Sequence, residues 1–223
     1  AVGPDRFCSS RPGSGGRLAF MGPPEKPMVS ILMPFRDAAA TLEPCLRSIR
    51  RQTYTPWECL MVDDRSTDRS AEIALEAASS DPRFRLTTQD GDGLVSALNH
   101  GLPRCTGRYI ARMDSDDLMH RDRLIRQVGL LEQEPALSAV GCRVRMFPRK
   151  VLGPGMVAYE NWLNRIESPD QVATNLWIEC PVAHPALMVR AETLVRTGYR
   201  DNGWPEDYDL VLRLLAGGGR IGV

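Results

Sequence analysis

The segment YIARMDSDDLMH, residues 109–120, carries Asp114, Asp116 and Asp117 within four positions, directly after an apolar run. Three carboxylates sharing one small surface repel one another unless a cation or a hydrogen-bonded ligand offsets their charge. A hard divalent ion takes oxygen ligands of this kind, typically one or two carboxylates plus substrate phosphates. One aspartate of such a run can offer an oxygen to the ion while another accepts from a sugar hydroxyl. The structural alternative is a capped turn, with Asp116 or Asp117 opening a helix near Leu118.

Two further acidic turns carry similar chemistry. In VDDRSTDRS, Asp64 follows an apolar run and can accept hydrogen bonds from a base or a ribose, or else cap the next helix. In WPEDYDLVLRL, Glu206 and Asp207 fall in a first helical turn, where the macrodipole stabilises anions. Asp207 there can act as general base on an acceptor hydroxyl, or simply complement the helix end. His184 stands before a proline in HPALMVR; a lone histidine is more often structural than a ligand. His100 and His120 carry less signal still, and the tryptophans are core residues by default. DGDGLVSALNHG has glycines at 91 and 93 but neither GxGxxG nor GxxxxGK[ST], which argues against a nicotinamide site and a P-loop.

Strands must position these turns. The runs 28–34 (MVSILMP), 57–64 (WECLMVDD), FRLTT and GRYIARMD read as strands, and helical periodicity separates them. Leu42, Leu46 and Ile49 mark the first helix; Ser66 or Thr67 would cap the second, which carries Ile73 and Leu75. This alternation predicts a parallel α/β sheet with right-handed crossovers, and ligands in such sheets bind beyond the carboxyl ends of the strands. Pro34 to Asp37, Asp63–Asp64 and Asp114 to Asp117 all stand at such ends. Beyond residue 122, RDRLIRQVGLLEQEP reads as an amphipathic helix, LSAVGCRVRMF as a strand, and 148–180 as irregular.

Hydrophobic residues at 43% fit a soluble globular chain, and 223 residues suffice for one sizeable core. Twenty-eight Lys and Arg balance 28 Asp and Glu, so the composition argues against a nucleic-acid partner. No apolar run reaches the ~18 residues of a membrane span. The six cysteines form no CxxC pair, and Cys59 and Cys142 read as small buried hydrophobes, as in a reducing cytoplasm. Residues 1–24 are expected to be a disordered tail, and the folded part to cover 25–223. LLAGGGRIGV suggests a chain that continues beyond residue 223.

In this order, VSILMPFRDAAATLEPCLRSIRRQTY, ECLMVDDRSTDRS, GLVSALNHGL, GRYIARMDSDDLMHRDRL and WPEDYDLVLRLL resemble the family 2 glycosyltransferases of GT-A fold. The matching stretches cover roughly 28–216. The resemblance implies a single α/β domain, with a Rossmann-like, mostly parallel sheet flanked by helices. Its nucleotide-binding half would lie at about 25–120 and its acceptor half at about 121–223. It also implies an inverting transfer from a nucleotide-sugar, with UDP as the nucleotide, to a saccharide or lipid-linked saccharide. By the same resemblance Asp116 and Asp114 match the DxD motif that holds Mg²⁺ or Mn²⁺. Pro34, Phe35, Asp37, Asp64, Gly93, Arg112, Asp114 and Ser115 would line the donor pocket. Asp207 resembles the catalytic base, with Trp204, Glu206 and His184 beside the acceptor. A cytoplasmic location follows by analogy, with peripheral association at the inner membrane face.

Two positions depart from the family pattern. Phe35-Arg36-Asp37 replaces a frequent aromatic–Asn pair, and Leu98 stands where many members have Arg. The competing readings are a non-catalytic nucleotide-sugar-binding module and a nucleotidyltransferase. PFRDAAAT lacks the glycine- and lysine-rich loop that the latter usually needs.

Overall fold

In the computed structural model, which describes residues 28–223, β1 (Val29–Phe35), β2 (Trp57–Asp63) and β4 (Tyr109–Arg112) are buried at every position. β3 (Phe84–Thr88) is partly exposed. Burial on both faces is what central parallel strands require, and it explains why these runs are continuously apolar. Helices α1 (Leu42–Arg50), α2 (Ser70–Ser80) and α3 (Leu94–Gly101) provide the crossovers. The tail assigned to 1–24, and Cys8 within it, lie outside the described residues.

The second half adds α4 (Arg123–Gln133), β5 (Ala139–Val140), α5 (Pro154–Leu163), α6 (Pro169–Asn175) and β6 (Met188–Arg190). It closes with α7 (Ala191–Thr197), α8 (Glu206–Ala216) and β7 (Ile221–Gly222). The seven-stranded sheet has the order β3-β2-β1-β4-β6-β5-β7. β1 to β4 run parallel, β6 is antiparallel to both β4 and β5, and β7 is parallel to β5.

Side chains of β1 alternate between two packed layers. Val29, Ile31 and Met33 meet Leu42, Ile49 and Leu124 on one face, while Leu32 joins Leu60, Val62, Leu98 and Leu210 on the other. Successive strands β1, β2 and β3 spread to one side, whereas β4 returns to the opposite flank of β1. The order therefore reverses between β1 and β4, which is where open α/β sheets form their ligand crevice.

Several expectations are corrected. Of LSAVGCRVRMF only Ala139–Val140 pairs in the sheet. Further on, the Asn164 side chain bonds both the N–H and the C=O of Val144, and Glu160 accepts from the Met146 amide, so the segment has no need of a neighbouring strand. The stretch 148–180 contains α5 and α6, the latter capped by Ser168, whose hydroxyl accepts from the Gln171 amide. Neither Ser66 nor Thr67 caps α2, which starts at Ser70 with Asp68 accepting from the Ser70 amide at 2.9 Å. No helix begins at Leu118; α4 starts at Arg123, which removes the capping role for Asp116 and Asp117. Trp177 and Trp204 are exposed where a core was expected, and Cys142 is only partly buried.

Candidate active site

The crevice is built from the turns that leave β1, β2, β3 and β4. After β1, Asp37 adopts φ 48°, and after β2, Arg65 adopts φ 56°, both in the left-handed region uncommon for side-chain-bearing residues. The Asp37 carboxylate explains why this conformation holds. It accepts from the Thr67 amide at 2.7 Å, the Thr67 hydroxyl at 3.1 Å and the Asp68 amide at 3.3 Å. Those bonds, the Thr67 amide's first, hold its carboxyl below the usual range.

Asp64 is buried, and each of its oxygens accepts one hydrogen bond from within the protein. One oxygen accepts from the Gly93 amide at 3.1 Å, and the other from the Gln89 side-chain amide. The same Gln89 nitrogen donates to the Gly93 carbonyl at 3.2 Å. Gly93 has φ 84°, a conformation glycine alone adopts without strain. Gln89 is 1% exposed, and its side-chain carbonyl has no partner among the described residues. Arg36 approaches Asp64 at 3.6 Å and pairs with Asp92 at 2.8 Å. Leu98, the position marked above as departing from the family pattern, is fully buried in the core.

On the other flank of β1 lie the three acids. One oxygen each from Asp114, Asp116 and Asp117 falls within a 4.8 Å cluster. Arg112, itself buried, meets Asp114 at 2.5 Å. Asp117, half-buried, is pushed up to about 6 by burial first, then by the charges of Asp114 and Asp116. The buried Arg112 and Arg123 offset three carboxylates only in part, and the set fits a hard divalent cation: oxygen donors, close spacing and unbalanced negative charge.

α8 brings its first turn to the same edge. Glu206 accepts from the His184 ring at 3.2 Å, and the other ring nitrogen lies 3.2 Å from the Tyr199 hydroxyl. Burial lowers the His184 pKa; Nδ1 donates to the Glu206 carboxylate, which can only accept, and Nε2 meets the Tyr199 hydroxyl. His184 is thus enclosed, with both nitrogens engaged inside the protein; it reaches Glu206 rather than the open side expected of an acceptor contact. The hydrogen bond from His184, helped by the charge of Arg112, holds Glu206 below the usual carboxylate range. Asp209 is occupied by Arg213 and Asn202, whereas Asp207 has no ion-pair partner among the described residues. Trp204 is exposed and stacks on Tyr208 at 6.3 Å between ring centres.

The predicted residues thus fall into two groups flanking β1. Asp37, Asp64 and Gly93 form one, with Pro34 and Phe35 at the buried end of β1. Asp114, Ser115 and Asp116 form the other with Arg112, whose charge reaches the His184–Glu206 pair. The sequence reading does not single out Gln89; it sets Asp117 in the acidic cluster and Arg36 in the turn after the first strand, without giving either a role of its own. For Gln89 the available signal is register: Asp63 pairs with Thr88, so a polar residue follows directly at the same sheet edge as Asp64.

An open α/β sheet with an acidic crevice at its switch point is the architecture of the GT-A glycosyltransferases. Mannosyltransferase PcManGT from Pyrobaculum calidifontis, in complex with GDP-Man and Mn²⁺, superposes with TM-score 0.67 at 24% identity, over 89% of this chain and 55% of that one. TarS 1–349 from S. aureus, in complex with UDP-GlcNAc, gives 0.66 at 16% identity, over 87% and 55%. A family model described as Glycosyl transferase family 2 matches residues 30–192. The putative glycosyltransferase EpsE of Bacillus subtilis (strain 168) is 33% identical over 201 residues, covering 87% of this chain and 69% of EpsE. The amylovoran biosynthesis glycosyltransferase AmsE of Erwinia amylovora is 28% identical over 194 residues, covering 85% and 70%. The chain belongs to glycosyl transferase family 2. It spans about half the length of the solved structures it matches.

Proposed function

We propose that the chain is an inverting glycosyltransferase that moves a sugar from a nucleoside-diphosphate sugar, with UDP the nucleotide of choice, to an acceptor hydroxyl. The observation that carries this reading is the cluster of Asp114, Asp116 and Asp117 beside Arg112, at the sheet edge where α8 begins. A cation held by Asp116 with Asp114 and Asp117 would supply positive charge against the donor diphosphate as the leaving nucleotide gains negative charge. Asp64, oriented by Gln89 and Gly93, keeps lone pairs for the base or ribose. Asp207 takes the proton of the acceptor hydroxyl as that oxygen bonds to the anomeric carbon. The bond from that carbon to the diphosphate breaks on the opposite face, so configuration inverts in one displacement, with the geometry of two-carboxylate inverting hydrolysis. His184 fixes Glu206 beside Asp207, and Trp204 offers an open aromatic face to a saccharide.

The test is Asp207→Asn, followed by release of nucleoside diphosphate from UDP- and GDP-sugars with and without saccharide acceptors. Turnover should fall about a thousandfold while donor affinity by calorimetry holds, as for loss of a general base. Near wild-type turnover would overturn the base assignment. Donor binding without turnover in the unaltered chain would favour the binding-module reading, consistent with the partial span of its solved relatives.

A further inference from the structure

Between Glu134 and Glu160 the chain carries Arg143, Arg145, Arg149 and Lys150 and no acidic residue, although its overall charge is zero. Arg143 and Arg149 are paired with Glu167 and Glu160, while Arg145 and Lys150 are exposed and have no ion pair among the described residues. Interleaved with these cations, Phe147, Val151 and Met156 are 50%, 75% and 47% exposed. Single exposed apolar residues are ordinary, but three large ones within ten positions, set among cations, are not.

Two of them, Phe147 and Met156, also share a concavity. Phe147, Met156 and the exposed Leu118 line a cleft of about 640 Å³ together with Arg143 and Arg145, and Asp116 and Asp117 stand in its wall. Exposed apolar side chains interleaved along the chain with guanidinium and ammonium groups suit one kind of surface. The tips enter the boundary between headgroups and acyl chains, and the cations meet lipid phosphates. A soluble polyanion would satisfy the cations and leave Phe147, Val151 and Met156 in water. No helix among the described residues is long and apolar enough to cross a membrane, so contact of this kind would be peripheral.

We infer that segment 143–156 is a docking face for an anionic bilayer surface, and that it turns the cleft beside Asp116 toward the membrane. The docking stands by itself; its consequence, that an acceptor carried in the membrane meets the site directly, rests on the transferase reading above.

The test is flotation of the full chain with phosphatidylcholine vesicles, with and without phosphatidylglycerol, across a range of salt. The chain should float with the anionic vesicles alone and detach as salt rises. The pair Arg145→Glu and Lys150→Glu should weaken partitioning well over tenfold, since each near-surface cation contributes roughly a factor of five. If that pair unfolds the chain, Arg145→Gln with Lys150→Gln serves in its place. Phe147→Ser with Met156→Ser should also weaken binding while leaving its salt dependence unchanged. Failure of the unaltered chain to bind anionic vesicles would overturn the inference, as would binding indifferent to the charge pair. Heparin binding lost in the charge pair, with vesicle binding intact in the apolar pair, would reassign the patch to polyanions. Calorimetry with UDP and Mn²⁺ on the same proteins separates the two ideas: vesicle binding without donor binding sinks the transferase reading and leaves the docking face standing.

Discussion

Glu58, near the amino end of β2, and Asp117, beyond the carboxyl end of β4, are acids at opposite edges of one sheet. Glu58 accepts from the Ser30 hydroxyl at 2.6 Å, the Thr106 amide at 2.7 Å, the Thr106 hydroxyl at 2.8 Å and Arg85 at 2.7 Å. Burial opposes its ionisation, yet these bonds outweigh burial and hold its carboxyl below the usual range. Asp117 receives no side-chain hydrogen bond among the described residues and has two like charges beside it. A carboxylate completed by its own protein is structural; one left short of positive charge is waiting for something else. The amino edge of the sheet stabilises the fold, and the carboxyl edge carries uncompensated negative charge, which the proposed donor complex would offset.

The comparison breaks most readily at Asp116. Asp116→Ala should weaken Mn²⁺-dependent nucleotide-sugar binding about a hundredfold and leave the weak binding measured in chelator unchanged; equal loss in both conditions would show that the cluster holds no ion.

Next comes Glu58→Gln, expected to cost about 2 kcal/mol of stability near neutral pH by leaving donors mismatched at a buried site. The depressed pKa of Glu58 makes its contribution present above the unfolded value of 4.5 and lost as pH falls through the folded value, so the difference between mutant and parent should vanish in acid. Denaturant melts at several pH values would check this.

Gln89→Leu should weaken donor binding about tenfold, visible in KM more than kcat, because Asp64 loses the amide that orients it.

Asp117→Asn gives the smallest effect, with the opposite sign to Glu58→Gln. The raised pKa of Asp117 means that the folded chain retains a proton between 3.8 and about 6 that the unfolded chain has released. Stability therefore falls as pH rises through that window. Near neutral pH and without metal, Asp117→Asn should stabilise by about 1 kcal/mol, allowing for solvent screening, and the gain should disappear below about pH 4 or on adding Mn²⁺.

Much of this is legible in the sequence, for a physical reason. VSILMPF and WECLMVD are buried at all seven positions, and such runs declare central strands. The ends of WECLMVD and of GRYIARMD then place Asp64 and Asp114 to Asp116 at one edge. LSAVGCRVRMF misleads because its apolar residues are strand-like, while its backbone is satisfied by Asn164 and Glu160, partners far along the chain that no local pattern reveals. α5 was illegible because most of its surface is exposed, so little periodicity is imposed on it. Gln89 escaped because its importance lies in touching Asp64, and sequence does not show touch.

The bonds from Thr67 and Asp68 to Asp37 join the turns after β1 and β2 into a single clasp, across two left-handed residues. Neither turn can open without surrendering the anchor of the other. Amide exchange at Thr67 and Asp68 should then proceed in step, as one cooperative opening of both turns, and a ligand that stabilises either turn should slow both amides together.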